Sequence, residues 1–214
     1  SINNSKKIKK EIMLHIDSIS KTFDGKVIFD KVNLKIGNSE LKILRGKNGS
    51  GKTTFLKIIA SLMSFNSGRI FFNDIKNCKK TTLRKNIFYL GDAPGFYKFL
   101  SPLQNIELGL SLRKADIPKE KIILTLNKFE LGNYLNKPVG IFSKGMLQRL
   151  KFAYASLFDW KVGLLDEPLN GLDDEGVKLF NECIEIWIEN KQSVLLVTHN
   201  TDYIINSKYD TLYL

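Results

Sequence analysis

Gly46-Lys47-Asn48-Gly49-Ser50-Gly51-Lys52-Thr53, followed by Thr54, fits the pattern G-x-x-x-x-G-K-[ST]. Its surroundings give the pattern mechanical meaning. Leu41-Lys42-Ile43-Leu44 upstream reads as a short strand, and Thr54-Phe55-Leu56-Lys57-Ile58-Ile59-Ala60 downstream carries apolar residues at helical spacing. Glycines at 46, 49 and 51 permit backbone conformations closed to other residues, so that successive N–H groups converge on phosphate oxygens. Lys52 supplies a point charge for β- and γ-phosphates, the Thr53 hydroxyl suits Mg2+, and a helix N-terminus behind them favours negative charge. An accidental match to the four fixed positions arises at roughly 4 in 100,000 starting points, about a 1% chance in a chain of this size. A nucleotide is therefore the expected ligand.

Composition bounds the class. The 214 residues, 43% hydrophobic and 26% charged, suit one globular α/β domain with room for a core and a subdomain. No run approaches eighteen apolar residues, so no membrane span is expected. Residues 1–11 are polar and basic (Lys6, Lys7, Lys9, Lys10) with no apolar stretch of signal length after them, so a secretory signal is not expected. Ser1 in place of an initiating Met implies a processed or recombinant start. Cys78 and Cys183 lie far apart, and His15 and His199 are the two histidines, so neither a disulfide framework nor a zinc site is expected and a reducing compartment fits. The net charge of +11 comes from lysines scattered along the chain. That dispersal favours a solvated surface first, a membrane- or partner-facing patch second, and nucleic acid last.

Beyond the phosphate loop, β-rich runs at Leu14–Phe23, Val27–Phe29 and Val32–Ile36, with Asp24-Gly25 as a turn, predict an antiparallel sheet. Gly68–Phe72 and Ile87–Leu90 predict further strands. From about 92 to 158 the spacing becomes helical, punctuated by Pro94, Pro102, Pro118 and Pro138. Val162–Leu165 and Ser193–Val197 predict parallel strands joined by a helix over Glu175–Asn190, a βαβ unit.

A second site string is Val162-Gly163-Leu164-Leu165-Asp166-Glu167-Pro168. An apolar run ending in two acids describes a buried parallel strand whose carboxyl end opens on a ligand crevice. Asp166 is suited to Mg2+, directly or through water, and Glu167 to general-base work on an attacking water. Alone the string is weak, since many strands end this way. Following a phosphate loop, it gains meaning.

Phe142-Ser143-Lys144-Gly145-Met146 then precedes a helix-like run, Asn170-Gly171-Leu172-Asp173 follows the acidic pair, and His199 ends the last apolar strand. With these motifs in this order, from Ile16 to the end, the chain resembles the ATPase subunit of an ATP-binding cassette (ABC) transporter of exporter type. That resemblance implies a P-loop NTPase core of ABC type in the α/β class, with an N-terminal antiparallel β subdomain. The core would take residues 1–91 and 159–214, and an inserted α-helical signature subdomain residues 92–158. It implies ATP and Mg2+ as cofactors, ATP hydrolysis to ADP and phosphate, separate membrane-spanning subunits as partners, and a place on the cytoplasmic face of the membrane. It also implies a homo- or heterodimer that closes head to tail on ATP, in which Ser143 and Gly145 touch the γ-phosphate bound to the other subunit and Asp173 joins the two sites. His199 matches a switch histidine at the γ-phosphate, and Phe23 an aromatic that stacks on adenine.

Two departures stand out. The signature has Lys144 and Met146 where Gly and Gln are most familiar. After Tyr89-Leu90-Gly91 the family usually presents a Gln that senses Mg2+ and water, whereas this chain has Asp92, and Gln104 lies too far along to substitute. Asp92 is accordingly expected near the metal, adding charge beside Asp166 and Glu167. Tyr89 to Gly95, with Pro138-Val139 before the signature, is similar to the haem-exporter ATPase of cytochrome c maturation. The rival from another class is a soluble ABC ATPase acting on nucleic acid or ribosomes, which would carry a coiled-coil insertion, zinc modules or a second cassette. A nucleotide binder without turnover is a further rival, opposed by Glu167 and His199. The aromatic segment Pro94-Gly95-Phe96-Tyr97-Lys98-Phe99-Leu100 is expected either to fill the helical core or to line a groove for a helix of the membrane subunit.

Overall fold

The computed structural model describes residues 12–73, 80–93, 95–204 and 208–214. The basic segment 1–11, Cys78 and Pro94, on which readings above fall, lie outside the described residues. Strands β1 (Ile12–Phe23) and β2 (Lys26–Gly37) form an antiparallel hairpin. Its turn residues Asp24 and Gly25 both have positive φ, 47° and 77°, the mirror-image turn whose twist matches that of the flanking strands. The two expected runs Val27–Phe29 and Val32–Ile36 are one strand, because Lys31 at φ 50° and shifts of register disturb the alternation without ending the pairing. Strand β4 (Ser67–Phe72) pairs on the other side of β1, giving the order β2-β1-β4.

The second sheet is parallel, in the order β5 (Ile87–Leu90), β6 (Val162–Asp166), β7 (Ser193–Val197), β3 (Leu41–Arg45), β8 (Tyr209–Tyr213). Every residue of β6 and β7 is buried, as expected where both faces are covered and the strands read as continuous apolar runs. Ile43 pairs with Leu196, and Leu196 with Leu165. The phosphate loop after β3 and the acidic pair at the end of β6 therefore leave the sheet at nearly the same level. That edge is where a doubly covered sheet presents its crevice.

Alternate side chains of β6 enter different cores. Leu164 joins Ile16, Phe55 and Leu195 in a cluster that includes α1 (Lys52–Ile59) and the antiparallel sheet. Leu165 joins Leu150, Phe152, Phe180 and Leu196 in a cluster that spans the helical lobe and α6 (Asp174–Glu189). The lobe, inserted between β5 and β6, holds α3 (Pro102–Arg113), α4 (Lys119–Lys128) and α5 (Lys144–Leu157). A short α2 (Lys80–Asn86) precedes β5. Neither α2 nor the strand β8 was anticipated. In β8, Tyr209, Asp210, Thr211 and Tyr213 are exposed, so this edge strand lacks the apolar run that marks a buried one.

Candidate nucleotide site

The phosphate loop is built by close approach. A Cβ on Gly46 would stand 2.5 Å from Ser50 Oγ and 2.6 Å from Leu214 O. Gly51 has φ 94° in the left-handed region, and a Cβ there would meet Ile28 and Phe29 of β2 at 2.5 and 2.9 Å. The hairpin thus packs directly under the loop. At its tip Phe23 is 41% exposed, with Lys21 Nζ 4.5 Å from the ring centroid, and so presents an aromatic surface to solvent. Lys52 curls back over the loop and donates to Gly46 O at 2.9 Å and Lys47 O at 3.0 Å. Lys47, Asn48, Gly49 and Thr53 are exposed, and Thr54 is partly so. The Ser50 hydroxyl is buried and has no hydrogen-bond partner among the described residues. A cleft of about 750 Å³ is lined by Gly46, Lys47, Ser50 and Lys52 of the loop together with Thr198 and His199, and with Arg45, Thr201 and Tyr213.

Asp166 ends β6 buried, its Oδ2 3.5 Å from the Tyr89 hydroxyl. Glu167 adopts φ 50°, in the left-handed region, and its N–H donates to Val197 O at 2.9 Å. That bond ties the ends of β6 and β7 while the turn aims the Glu167 carboxylate out of the sheet; a non-glycine residue held this way is a mark of functional sites. His199 Nε2 stands 3.2 Å from Glu167 Oε1. Oε1 itself is buried and makes no hydrogen bond. Burial pushes the Glu167 carboxyl above the usual range, opposed by the nearby His199 and Lys52 and reinforced by Asp166. A carboxylate raised in basicity and set beside a histidine is suited to accept a proton from water.

The signature residues form a second cluster. Ser143 caps α5, its Oγ accepting from Met146 N at 3.2 Å. A Cβ on Gly145 would come within 2.8 Å of Gly171 O, so the signature loop lies against the loop that follows the acidic pair. Asp173 caps α6 by accepting from Gly176 N at 2.9 Å and also accepts from Arg149 at 2.8 Å, while Arg149 pairs with Glu130 as well. The Arg149 hydrogen bond leads the causes that hold the Asp173 carboxyl below its ordinary range. None of Ser143, Gly145 and Asp173 lines the cleft at the phosphate loop. Gln104 is engaged elsewhere, in a reciprocal cap with Ser101 at the start of α3.

Asp92 is exposed, and its carbonyl faces the ammonium of Lys151. The sequence carried no hint of Lys151, which looks like one more lysine on a helix. Among the described residues no group of three or more His, Cys, Asp or Glu could hold a metal ion. In the aromatic segment, Phe96 packs edge-on against Tyr154, whereas Tyr97 and Phe99 are exposed. Phe96 and Tyr97 line a cavity of about 250 Å³ with Tyr89, Tyr154, Arg113 and Lys151.

A glycine-rich loop between a parallel strand and a helix, with two acids leaving the next strand at the same level, defines a P-loop nucleotide-binding protein. Residues 29–170 match the family described as ABC transporter. The chain is 34% identical over 187 residues to the lantibiotic transport ATP-binding protein SrtF of Streptococcus pyogenes, covering 87% of this chain and 80% of that one. It is 28% identical over 188 residues to the cytochrome c biogenesis ATP-binding export protein CcmA of Vibrio vulnificus, covering 87% and 92%. A solved ATP-binding subunit of an ABC transporter superposes with a TM-score of 0.80 at 25% identity, over 89% of this chain and 80% of the other. The chain belongs to the ABC transporter family, as an ATP-binding subunit whose ATP hydrolysis is coupled to transport. No described helix is long and apolar enough to cross a membrane.

Proposed function

We propose that this subunit drives export through separate membrane subunits by binding MgATP at the 46–54 loop and hydrolysing it between two ATPase subunits closed head to tail. The observation that carries the reading is the shared cleft. Lys52 and His199 both line it, and Glu167 stands against His199. The partnerless Ser50 hydroxyl and the exposed loop suit a ligand rich in acceptors. Thr53 and Asp166 are the residues that would hold Mg2+, with nucleotide phosphates supplying further oxygens; such a site needs no cluster of three acidic side chains. When bound, the ion neutralises charge on the phosphates. Phe23 would stack on adenine, Lys52 would bind the β- and γ-phosphates, Glu167 would take the proton of the attacking water, and His199 would orient that water.

Ser143 and Gly145 stand apart from the cleft of their own chain, which fits a role at the neighbour's nucleotide, with Asp173 between the two sites. Complementation tests this. Lys52→Ala and Ser143→Arg chains should each be nearly inactive, yet their mixture should recover on the order of a tenth or more of parent turnover, because one mixed site is intact. A mixture as inactive as its parts would place the signature at its own chain's nucleotide. The membrane partner would dock over Tyr97 and its cavity. Tyr97 is 64% exposed, so Tyr97→Ala should leave the melting temperature within about 2 °C of the parent and sharply reduce co-purification with membrane subunits. Undiminished co-purification would remove Tyr97 from the interface. Export as the direction rests on the name of the relative CcmA, an export protein; that of SrtF says transport alone.

A further inference from the structure

We propose that Lys151 and Asp92 form a charge-matched link tying the helical lobe to the loop after β5, and that Asp92 serves this link instead of the metal. Lys151 lies in the middle of α5 and is 7% exposed. Its ammonium donates to Gly91 O at 2.8 Å and reaches Asp92 O at 3.4 Å. Carbonyl dipoles satisfy donors, but a buried ammonium also requires an opposite charge nearby or it loses its proton. Burial does weaken the hold of Lys151 on its proton; Asp92 opposes that loss and Lys144 adds to it. The Asp92 carboxylate is exposed and makes no ion pair with Lys151 among the described residues; it acts on the ammonium as a nearby opposite charge that favours the protonated form. An uncharged side chain there would leave the ammonium uncompensated.

The link adds a second connection between the signature helix and the strand ends, beside the contact of Gly145 with the loop after β6. α5 begins at Ser143, and Lys151 lies about two turns further along the same rigid rod. The loop it grips follows Tyr89, whose hydroxyl stands 3.5 Å from Asp166 Oδ2. A displacement of the signature end of α5 is thereby carried to the backbone at Gly91 and Asp92, next to the strand end that reaches Asp166. Lys151 touches neither nucleotide nor reacting atoms, so it is a positioning residue. Its effect on turnover rests on the ATPase reading above; its grip on the loop does not.

Amide hydrogen exchange on the nucleotide-free full chain tests the grip. Residues 89–93 should exchange about tenfold faster in Lys151→Met and in Asp92→Asn than in the parent, and near the parent rate in Lys151→Arg, which keeps the charge and donors. Turnover tests the consequence. In Asp92→Asn, kcat should fall about fivefold while KM for ATP and the MgCl2 concentration for half-maximal rate stay within about twofold of the parent. Unchanged exchange in Lys151→Met overturns the link. A tenfold rise in the MgCl2 requirement of Asp92→Asn, with exchange unchanged, overturns it too and assigns Asp92 to the metal. Should Lys151→Met fail to fold, the near-isosteric Asp92→Asn compared with Lys151→Arg decides by the same exchange criterion. A chain that hydrolyses no ATP would defeat the ATPase reading while leaving the exchange result to stand alone.

Discussion

Glu167→Gln is expected to lower ATP turnover on the order of 100-fold or more while ATP still binds. The amide keeps the size of the side chain and its place at the end of β6, where the backbone bond from Glu167 N to Val197 O fixes the turn. What it removes is the proton acceptor. Binding without hydrolysis should also hold the dimer closed, so MgATP should shift the variant, more than the parent, to the larger species in size exclusion. Retention of near-parent turnover would take Glu167 out of the role. The raised basicity of this carboxyl adds a pH signature. Because burial keeps it protonated to higher pH than an ordinary Glu, parent kcat should fall on acidification at a pH above the usual Glu range. Stability runs the other way. A carboxyl whose folded-state pKa lies above its unfolded value ionises less readily when folded, so the native state loses stability as pH rises through that window. Glu167→Gln escapes this penalty and should melt higher than the parent at neutral pH, an advantage that vanishes below the Glu range; equal melting temperatures at neutral pH would contradict the raised value.

The legible parts of the site were those carried by residues adjacent in sequence. The phosphate loop, the acidic pair and the signature are each short strings in which glycine, lysine or an acid sits at a fixed offset, so their local geometry follows from the string. The parallel strands β6 and β7 were legible because both faces are buried and every side chain before Asp166 in β6, and every one in β7, is apolar or small. What remained hidden depends on groups brought together over long separations. The hydrogen bond from Lys151 to Gly91 spans 60 residues, and a lysine on a helix reads as solvated surface until its neighbours are known. The double use of Arg149, with Glu130 and Asp173 on different elements, is hidden for the same reason. β8 escaped because an exposed edge strand has no face that must be apolar. Asp92 was visible as a departure from the family's habit, but the Lys151 ammonium beside its backbone carbonyl was not.

Lys52→Ala should weaken ATP binding about 100-fold or more, the largest effect on affinity expected from any single side chain of the loop. The ammonium spans the loop, donating to the carbonyls of Gly46 and Lys47. A triphosphate would offer charged oxygens in place of those neutral carbonyls, and hydrogen bonds to charged acceptors are roughly twice as strong as neutral ones. The side chain is thus already folded toward the place where phosphate must lie, and little rotamer freedom remains to be lost on binding. Phe23→Ala supplies the contrast. Stacking on adenine would contribute about 0.5–1.5 kcal/mol, so its loss should weaken ATP binding only severalfold, and should leave inorganic triphosphate, which has no base, bound as before. The two variants separate the halves of the ligand: titration of each with ATP and with triphosphate should show Lys52→Ala losing both ligands and Phe23→Ala losing affinity for ATP alone. If Lys52→Ala binds ATP within a few-fold of the parent, the cleft beside His199 is not the phosphate site. If the parent binds triphosphate as tightly as ATP, Phe23 does not read the base, and its exposure at the hairpin tip has another cause.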